Sequence, residues 1–322
     1  MARVNLLSPP GIVLEAVVAL ALAGTARVDA QSAPFASRVD LVPLTVTVTD
    51  AAGKYVTGLT GDDFCVLEDG VRQPLSFFAK DDVPVDLAIV LDMSDSMRAD
   101  LPRVRKAASG LVQKLRPDDR GAVFQVSTNA RNPQPFTTDH AALDLAIGTV
   151  STAGSTALYD GLYIVLKEFE RERRAVVGPR RQVLVLLSDG LDTASRLPFE
   201  DVVDLARRVG VNIYFIALRG DAALTPRSEL DGSALTAEYA MGTVARESGG
   251  RTFFPKKPTE LPMVCSAIAQ ELASQYALGY TPVRPGGDGA FRHVTVQIVP
   301  QVNARARTRS GYYASGKPAR NH

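Results

Sequence analysis

Oxygen-bearing side chains follow a run of aliphatic residues in the stretch VLDMSDSM (90–97). Asp92, Ser94 and Ser96 occur there at alternate positions, and Asp95 adds a second carboxylate. Asp and Ser are common turn residues, so one interpretation is a simple turn. Carboxylate and hydroxyl oxygens are also the ligands that hard cations prefer, so the other interpretation is a metal site.

Two distant loops offer the same kind of side chain. GSTALYD (154–160) opens a predicted helix and contains Thr156, and SDGLDT (188–193) follows an apolar strand and contains Asp189. In an open α/β sheet, ligands bind at the carboxyl ends of the parallel strands, near the point where the strand order reverses. We therefore expect one site with two carboxylates and three hydroxyls, a set that suits Mg²⁺ or Mn²⁺. Its predicted ligands are Asp92, Ser94, Ser96, Thr156 and Asp189.

The composition argues against several other kinds of site. Lys plus Arg (36) nearly balance Asp plus Glu (35), so no nucleic-acid-binding surface is indicated. The 3 histidines and 2 cysteines are far apart in the chain, which disfavours zinc sites and Cys–His catalytic pairs. Phosphate-binding and nucleophile-elbow motifs are missing from the sequence. A metal-assisted hydrolase would have only Asp95 or Asp192 as a general base, so we expect no enzymatic activity.

The first residues have the features of an export signal. Arg3 precedes the apolar stretch 11–24, and Val28-Asp29-Ala30 has the small-residue pattern of a cleavage site. The apolar stretch is short for a membrane span and is interrupted by Glu15, and a disordered leader is the alternative. We predict a signal peptide and an exported protein that is periplasmic, cell-surface or secreted. Membrane association is not indicated beyond that signal.

The rest of the chain changes its pattern twice. Residues 39–49 alternate apolar and polar side chains, and Glu68-Asp69-Gly70 is a hairpin signal within 62–78. From residue 86 onward, apolar strands alternate with helices, as in a parallel sheet covered on both faces. The predicted strands of this part are 86–92, 121–127, 182–190, 211–218 and 251–254, and the predicted helices are 103–115, 156–173, 237–250 and 261–274. Strands return at 275–281, 293–299 and 304–314.

The two β-rich ends are each too small to be stable alone. We expect them to pair into one sandwich. The predicted fold class is therefore α/β, with a doubly wound, mostly parallel sheet inserted in a small β-sandwich formed by N- and C-terminal strands. The predicted segments are 1–30 (signal peptide), 31–80 (N-terminal sandwich segment), 81–274 (α/β domain), 275–315 (C-terminal sandwich segment) and 316–322 (tail).

The three loops together resemble the metal-ion-dependent adhesion site of von Willebrand factor type A (VWA) domains. That motif is D-x-S-x-S, then a Thr, then an Asp, and DMSDS, GSTAL and LLSDG contain these parts in order. The resemblance implies a Rossmann-like VWA fold and a Mg²⁺ or Mn²⁺ ion on the five side chains named above, with Asp189 bound directly or through water. It also implies a partner protein whose Asp or Glu completes the coordination of the ion.

The flanking segments extend the resemblance over most of residues 39–314. GLTGDDFCVLEDG before the domain, and YALGYTP and RSGYYA after it, are similar to exported VWA-related proteins typical of Acidobacteria.

Asp95 departs from the Gly of many relatives, and its charge would tighten the metal or disfavour an acidic ligand. Asp100 lies where integrin β-subunits hold part of a second metal site, but Ala99 replaces the companion acid, so a helix cap is favoured. Both residues are possible modulators.

Several alternatives stay open at this point. The main hypothesis is an exported, adhesion-type module that binds a protein through a divalent cation. An envelope structural or assembly protein with a purely structural metal is the alternative, and a hydrolase is disfavoured. By analogy with adhesion domains, movement of the last helix is a plausible coupling route.

Side chains outside the motif carry further expectations. Cys65 and Cys265 are either a disulfide or two buried thiols, since Cys265 falls on the apolar stripe of the last helix. Asp160 and Asp192 are expected to be solvated carboxylates. Three arginines alternate along the strand predicted at 304–314, which favours a solvated sheet face. These are Arg305, Arg307 and Arg309.

Overall fold

The computed structural model of the chain describes residues 41–80, 83–176, 178–218, 232–284, 287–299 and 303–314. The predicted signal peptide and the predicted tail lie outside these ranges. Among the described residues, no helix is both long enough and apolar enough to cross a membrane.

The described residues form strands and α-helices that are numbered here in chain order. The strands are β1 (Val42–Asp50), β2 (Phe64–Glu68), β3 (Val71–Gln73), β4 (Leu75–Lys80), β5 (Val85–Asp92), β6 (Arg120–Val126), β7 (Ala130–Thr137), β8 (Arg181–Ser188), β9 (Asn212–Ala217), β10 (Arg251–Phe253), β11 (Tyr276–Tyr280), β12 (Phe291–Ile298), β13 (Ala304–Arg307) and β14 (Gly311–Tyr313). The helices are α1 (Leu101–Val112), α2 (His140–Thr149), α3 (Leu158–Ala175), α4 (Phe199–Val209), α5 (Gly232–Glu247) and α6 (Leu261–Ala273).

A six-stranded sheet forms the centre of the α/β part, in the order β10-β9-β8-β5-β6-β7. Every neighbouring pair in it is parallel except β6 and β7. Helices α1, α2 and α6 pack on one face, and α3, α4 and α5 pack on the other. Because both faces are covered, all eight residues of β5 are buried, and the apolar runs in the sequence reflect this burial.

Strands from both ends of the chain build two antiparallel sheets, β13-β1-β11-β4 and β14-β12-β2-β3. Val42, Leu44 and Val46 of the first sheet share one buried cluster with Val66 and Val296 of the second. The two sheets therefore form a sandwich. The predicted fold class is confirmed, with the mostly parallel sheet lying between the two halves of the sandwich in sequence.

The predicted hairpin at 68–70 is also confirmed. β2 and β3 pair antiparallel across Asp69 and Gly70, which both have positive φ (47° and 80°). A two-residue turn with positive φ at both positions matches the twist of the flanking strands.

The prediction of one strand at 304–314 is wrong. β13 pairs with β1 in one sheet, and β14 pairs with β12 in the other, so the chain changes sheets at residues 308–310. Because of this crossing, the three arginines do not share a solvated face. Arg305 is exposed, whereas Arg307 contacts the buried Glu271 and Arg309 is only 8% exposed.

Both cysteines are free thiols. Cys65 lies partly exposed on β2, and Cys265 is buried among the apolar residues that α6 packs against the sheet. The core position predicted for Cys265 is confirmed. Burial raises the pKa of its thiol to about 12, so it is unreactive at neutral pH.

The α/β part and the sandwich meet at a buried polar cluster around Glu271 of α6, which is completely buried. Its carboxylate accepts hydrogen bonds from the hydroxyl groups of Tyr214 (2.6 Å) and Tyr55 (3.2 Å) and pairs with the guanidinium of Arg307. Gln275 donates to the Tyr214 hydroxyl at 2.9 Å. Burial, followed by the charge of Glu271, raises the pKa of Tyr214 well above its usual value.

Candidate functional site

The candidate site lies at the carboxyl edge of the central sheet, where the strand order reverses. From β5 the chain continues to β6 on one side, and β8 later fills the other side. Asp92 is the last residue of β5, and Asp189 directly follows β8. Since Leu91 pairs with Leu187 in parallel register, both carboxylates reach the same edge at adjacent strand ends.

The loop after β5 turns sharply around the Asp92 side chain. Its Oδ1 accepts a hydrogen bond from the backbone N–H of Ser94 at 3.0 Å, and the N–H of Met93 donates to the carbonyl of Val126 at 2.7 Å. A short 3₁₀ turn, Asp95–Ala99, follows. The turn interpretation is therefore correct for the backbone, and it presents the serine side chains at the edge of the sheet.

A chain of hydroxyl contacts joins the first loop to the loop after β8. The Oγ atoms of Ser94 and Ser96 are 3.0 Å apart, and Ser96 donates to Oδ2 of Asp189 at 2.8 Å. Asp92, both serines and Asp189 are thus linked by consecutive hydrogen bonds.

Thr156 is buried (3% exposed), and its backbone connects the third loop to the other two. Its N–H donates to Oγ1 of Thr193 at 3.1 Å, and its carbonyl accepts from the N–H of Thr193 at 2.9 Å. On the other side, the N–H of Asp95 donates to the carbonyl of Gly154 at 3.1 Å. The loop of Thr156 is therefore held next to both carboxylate-bearing loops.

Asp92 is completely buried, and no basic side chain of the described residues forms an ion pair with it. Burial, with a smaller contribution from the charge of Asp189, raises the pKa of this carboxyl to about 6, although the hydrogen bonds that it accepts from Ser188 and Ser94 act in the opposite direction. An anion in such surroundings is stabilised strongly by a cation. The chemistry of the donor set, with two carboxylates and hydroxyl groups at one edge, fits a hard divalent ion.

Ser188 takes part in the site but is missing from the sequence prediction. Its hydroxyl donates to Oδ2 of Asp92 at 2.6 Å and accepts from the N–H of Gly190 at 2.8 Å. The signal that could have identified it is the strand register, which puts the last residue of β8 beside the last residue of β5.

The two possible modulators lie outside this hydrogen-bonded group. Asp95 is exposed and pairs with Arg98 of the same 3₁₀ turn. Asp100 occupies the position before α1, but its side chain does not cap the helix and instead accepts from Arg103 at 3.0 Å. Asp100 is therefore at the predicted cap position, but the hydrogen bond that a capping side chain would accept is missing. The reason is that the helical backbone of Asp100 (φ −95°, ψ −6°) differs from the extended backbone of a capping residue.

Asp160 and Asp192 are partly exposed, and in addition to this predicted contact with solvent both accept hydrogen bonds from neighbouring loops. Oδ1 of Asp192 accepts from the N–H of Leu158 (2.8 Å) and from the hydroxyl of Ser195 (2.6 Å), which anchors the start of α3. Asp160 accepts from the N–H of Leu197 at 2.9 Å. Both carboxylates are occupied in holding loops.

Groups of three or more His, Cys, Asp or Glu side chains that could hold a metal ion do not occur in the described part of the chain. The candidate site differs from such groups because three of its five predicted ligands are hydroxyls. Its carboxylates, Asp92 and Asp189, are held together by serines rather than by further acids.

Solved structures with a similar fold cover part of this chain. An aerotolerance-related membrane protein from Bacteroides fragilis is 17% identical, with 58% of this chain and 98% of that chain covered and a TM-score of 0.46. The vWF domain of the type V pili tip protein Mfa5 from Porphyromonas gingivalis is 17% identical, with 59% and 95% covered and a TM-score of 0.46. A von Willebrand factor type A protein from Catenulispora acidiphila is 13% identical, with 86% and 63% covered and a TM-score of 0.48. No curated protein sequence matches the chain.

The family comparison is more direct. The von Willebrand factor type A domain matches residues 86–261, which is more than half of the chain and includes all five predicted ligands. The matched region begins within β5 and ends at the start of α6, so it contains nearly all of the central sheet and helices α1 to α5. The chain therefore belongs to the von Willebrand factor type A domain family.

Proposed function

We propose that this VWA chain is an adhesion-type module that binds a partner protein through a divalent cation, Mg²⁺ or Mn²⁺. The observation that carries the proposal is the fully buried carboxylate of Asp92, which has no basic partner among the described residues and is linked through Ser94 and Ser96 to Asp189. In this proposal the ion is held by Asp92, Ser94, Ser96, Thr156 and Asp189.

Each residue of the proposed site would have a distinct role in binding the ion. Asp92 supplies the buried charge, and Ser188 and the Ser94 N–H hold its two oxygens in place. The hydroxyl ligands carry no charge, so a bound ion keeps an excess positive charge and attracts an Asp or Glu of a partner. Asp95 is paired with Arg98, which reduces the repulsion that an incoming carboxylate would meet.

The setting of this function is also part of the proposal. The export signal predicted at residues 1–30 and the resemblance to exported proteins typical of Acidobacteria support a periplasmic, cell-surface or secreted location. The balanced charge supports a protein partner rather than nucleic acid. Oδ1 of Asp192 already accepts two hydrogen bonds that anchor the start of α3, which makes this carboxylate a weaker candidate general base and supports binding without catalysis.

Calorimetric titration with Mg²⁺ and Mn²⁺ tests the metal site. The wild type is expected to release or absorb heat with a saturable curve, and Asp92→Ala is expected to lose it, because the central carboxylate is gone. Asp118→Ala is the matched control, since it removes an exposed carboxylate at the opposite edge of the sheet, before β6. Equal heats for the wild type and Asp92→Ala would overturn the metal site.

Capture from envelope extract then tests the binding function separately. The immobilised protein is expected to retain a partner in Mg²⁺, to release it in EDTA, and to retain little as Asp92→Ala. Retention that survives both EDTA and the substitution contradicts metal-dependent binding. Metal binding without any metal-dependent capture would favour the alternative of a structural ion.

A further inference from the structure

A second site is suggested by a cavity of about 430 Å³ on the side of the central sheet away from the candidate metal centre. It lies between the amino-terminal ends of β5, β8 and β9 and the sandwich strands β1 and β11. Its wall is mostly apolar and includes Leu44, Phe77, Val176 and Leu278. Cavities of this size, with apolar walls and few polar groups, are typical of small-molecule sites.

The feature that sets this cavity apart is Arg309, which lines it and is only 8% exposed. Its Nε has no hydrogen-bond partner, and no carboxylate of the described residues forms an ion pair with it. The ring of Tyr312, 5.4 Å from the guanidinium carbon, is its one aromatic contact in the described chain. The neighbouring Thr308 also lines the cavity, and its buried hydroxyl is unpaired as well.

The surroundings of Arg309 include the C-terminal end of α4 and a second arginine, but no carboxylate of the described residues that forms an ion pair with it. Its Nη1 lies against Gly210 at the end of α4, where a Cβ would come within 2.5 Å. The nearby Val209 carbonyl already accepts a hydrogen bond from Arg173 at 3.0 Å. Burial, together with the charge of Arg173, lowers the pKa of Arg309 to about 10, which still leaves it protonated at neutral pH.

The acidic residues of the cavity wall are engaged elsewhere. Asp86 pairs with Arg120 at 2.8 Å and with Arg180, and Glu172 pairs with Arg120 at 3.1 Å. The cavity therefore has a net positive charge at one end, from Arg309 and Arg173, and a buried cation that lacks its anion. A buried unpaired charge is costly, and in proteins it is normally compensated by an anion.

We propose that this cavity binds a small amphipathic carboxylate, with the carboxylate against Arg309 and the Thr308 hydroxyl and the apolar chain along Phe77 and Val176. Charge-assisted hydrogen bonds from a guanidinium to a carboxylate supply both affinity and orientation. The volume corresponds to about 14 water molecules at ~30 Å³ each, which is enough for a medium-length aliphatic acid. The site is separate from the metal centre and does not depend on it.

Titration with decanoate, decanol and acetate tests the proposal on the full chain. Decanoate is expected to bind the wild type. Decanol and acetate are expected to bind at least about tenfold more weakly, because decanol lacks the carboxylate and acetate lacks the apolar chain. Arg309→Met is expected to weaken decanoate binding by about ten- to hundredfold. Arg305→Met is the matched control, since Arg305 lies exposed on the same stretch of chain, and it is expected to bind like the wild type.

One further variant keeps the test decisive if Arg309→Met folds poorly. Val176→Trp leaves Arg309 in place and fills the cavity from a partly exposed position, so it is expected to abolish decanoate binding. Without ligand, Arg309→Met is expected to unfold at the same or a higher temperature, because an unpaired buried charge is removed. Mg²⁺ binding is expected to be unchanged in both variants, which separates this site from the proposed metal site.

Three results would overturn the inference. The first is an absence of decanoate binding to the wild type. The second is decanol binding as tight as decanoate binding, which would show an apolar cavity without anion recognition. The third is decanoate binding that is the same in Arg309→Met and in the wild type.

Discussion

At the scale of single residues, Asp92 connects the protonation of the site to the stability of the fold. Its pKa is raised from 3.8 to about 6, mainly by burial. Between these two values the folded protein binds a proton that the unfolded chain has released. Stability therefore falls as the pH rises through this interval, and the loss is complete above the folded pKa.

This effect gives the first residue-scale prediction. In EDTA, the free energy of unfolding of the wild type relative to Asp92→Asn is expected to fall by about 2 kcal/mol between pH 4 and pH 7. The asparagine cannot titrate there, so subtracting its pH dependence removes the contribution of other groups. Urea denaturation at one-unit pH steps measures the difference. A difference that stays constant with pH would show that Asp92 is not desolvated, and added Mg²⁺ is expected to restore the wild type at pH 7.

The residues of the site could be predicted from the sequence as far as strand ends and motif order determine them. Asp92 and Asp189 follow apolar strands, so their positions at one edge follow from the sheet. Ser188 could not be found in this way. Its hydroxyl contacts Asp92, which is 96 residues away in the chain, and this contact depends on the register between β5 and β8. The contacts of Asp100 and Asp192 depend on local backbone angles and loop packing, which residue types alone do not specify.

At the scale of elements, Glu271 determines how α6 is joined to the rest of the molecule. Its carboxylate contacts Tyr214 on β9 and Arg307 on β13, so one side chain of α6 connects the central sheet with the sandwich. Any movement of α6 along the sheet would have to break these contacts. Truncating one partner of a buried ion pair is costly because the other charge is left uncompensated.

The element-scale prediction is a double-mutant cycle on this pair. Glu271→Gln is expected to lower the free energy of unfolding by about 3–5 kcal/mol. Adding Arg307→Met to it is expected to cost less than the sum of the two single changes, because no unpaired charge then remains. Urea denaturation of the four proteins gives the coupling.

An exposed ion pair supplies the matched control for this cycle. Asp95 and Arg98 pair in the 3₁₀ turn after β5, and both side chains are more than half exposed, so Asp95→Asn is expected to cost less than about 1 kcal/mol. Costs for Glu271→Gln that are no larger than this control would contradict a stabilising role of the buried cluster.

The elements that differ from the sequence prediction each have their own explanation. β7 contains Pro133 and Pro135, which are tolerated because β7 is an edge strand. α4 carries an apolar stripe and ends at Gly210 in a left-handed conformation, and both features can be recognised in the sequence. The stretch 304–314 alternates like one strand, and only its pairing with β1 and β12 divides it between two sheets.

At the scale of the whole molecule, the α/β part enters and leaves the sandwich at one place. β4 precedes it and β11 follows it, and these strands pair side by side, with Lys80 opposite Tyr276. Arg181 at the start of β8 binds both connections, since it donates to the carbonyl of Leu272 at 2.6 Å and to that of Val83 at 3.2 Å. Neither sandwich sheet can form without strands from both ends of the chain.

The last prediction follows from this closed arrangement. The sandwich holds the two ends of the α/β part together, and the cluster around Glu271 joins the two parts through buried contacts, so neither is expected to unfold alone. Differential scanning calorimetry is expected to give one transition with equal calorimetric and van't Hoff enthalpies. Glu271→Gln is expected to lower the midpoint of that transition without dividing it, because the strand pairing between both ends of the chain remains. Two separate transitions in the wild type would show that the sandwich and the α/β part are independent, and a ligand bound in the cavity between them could then not stabilise both.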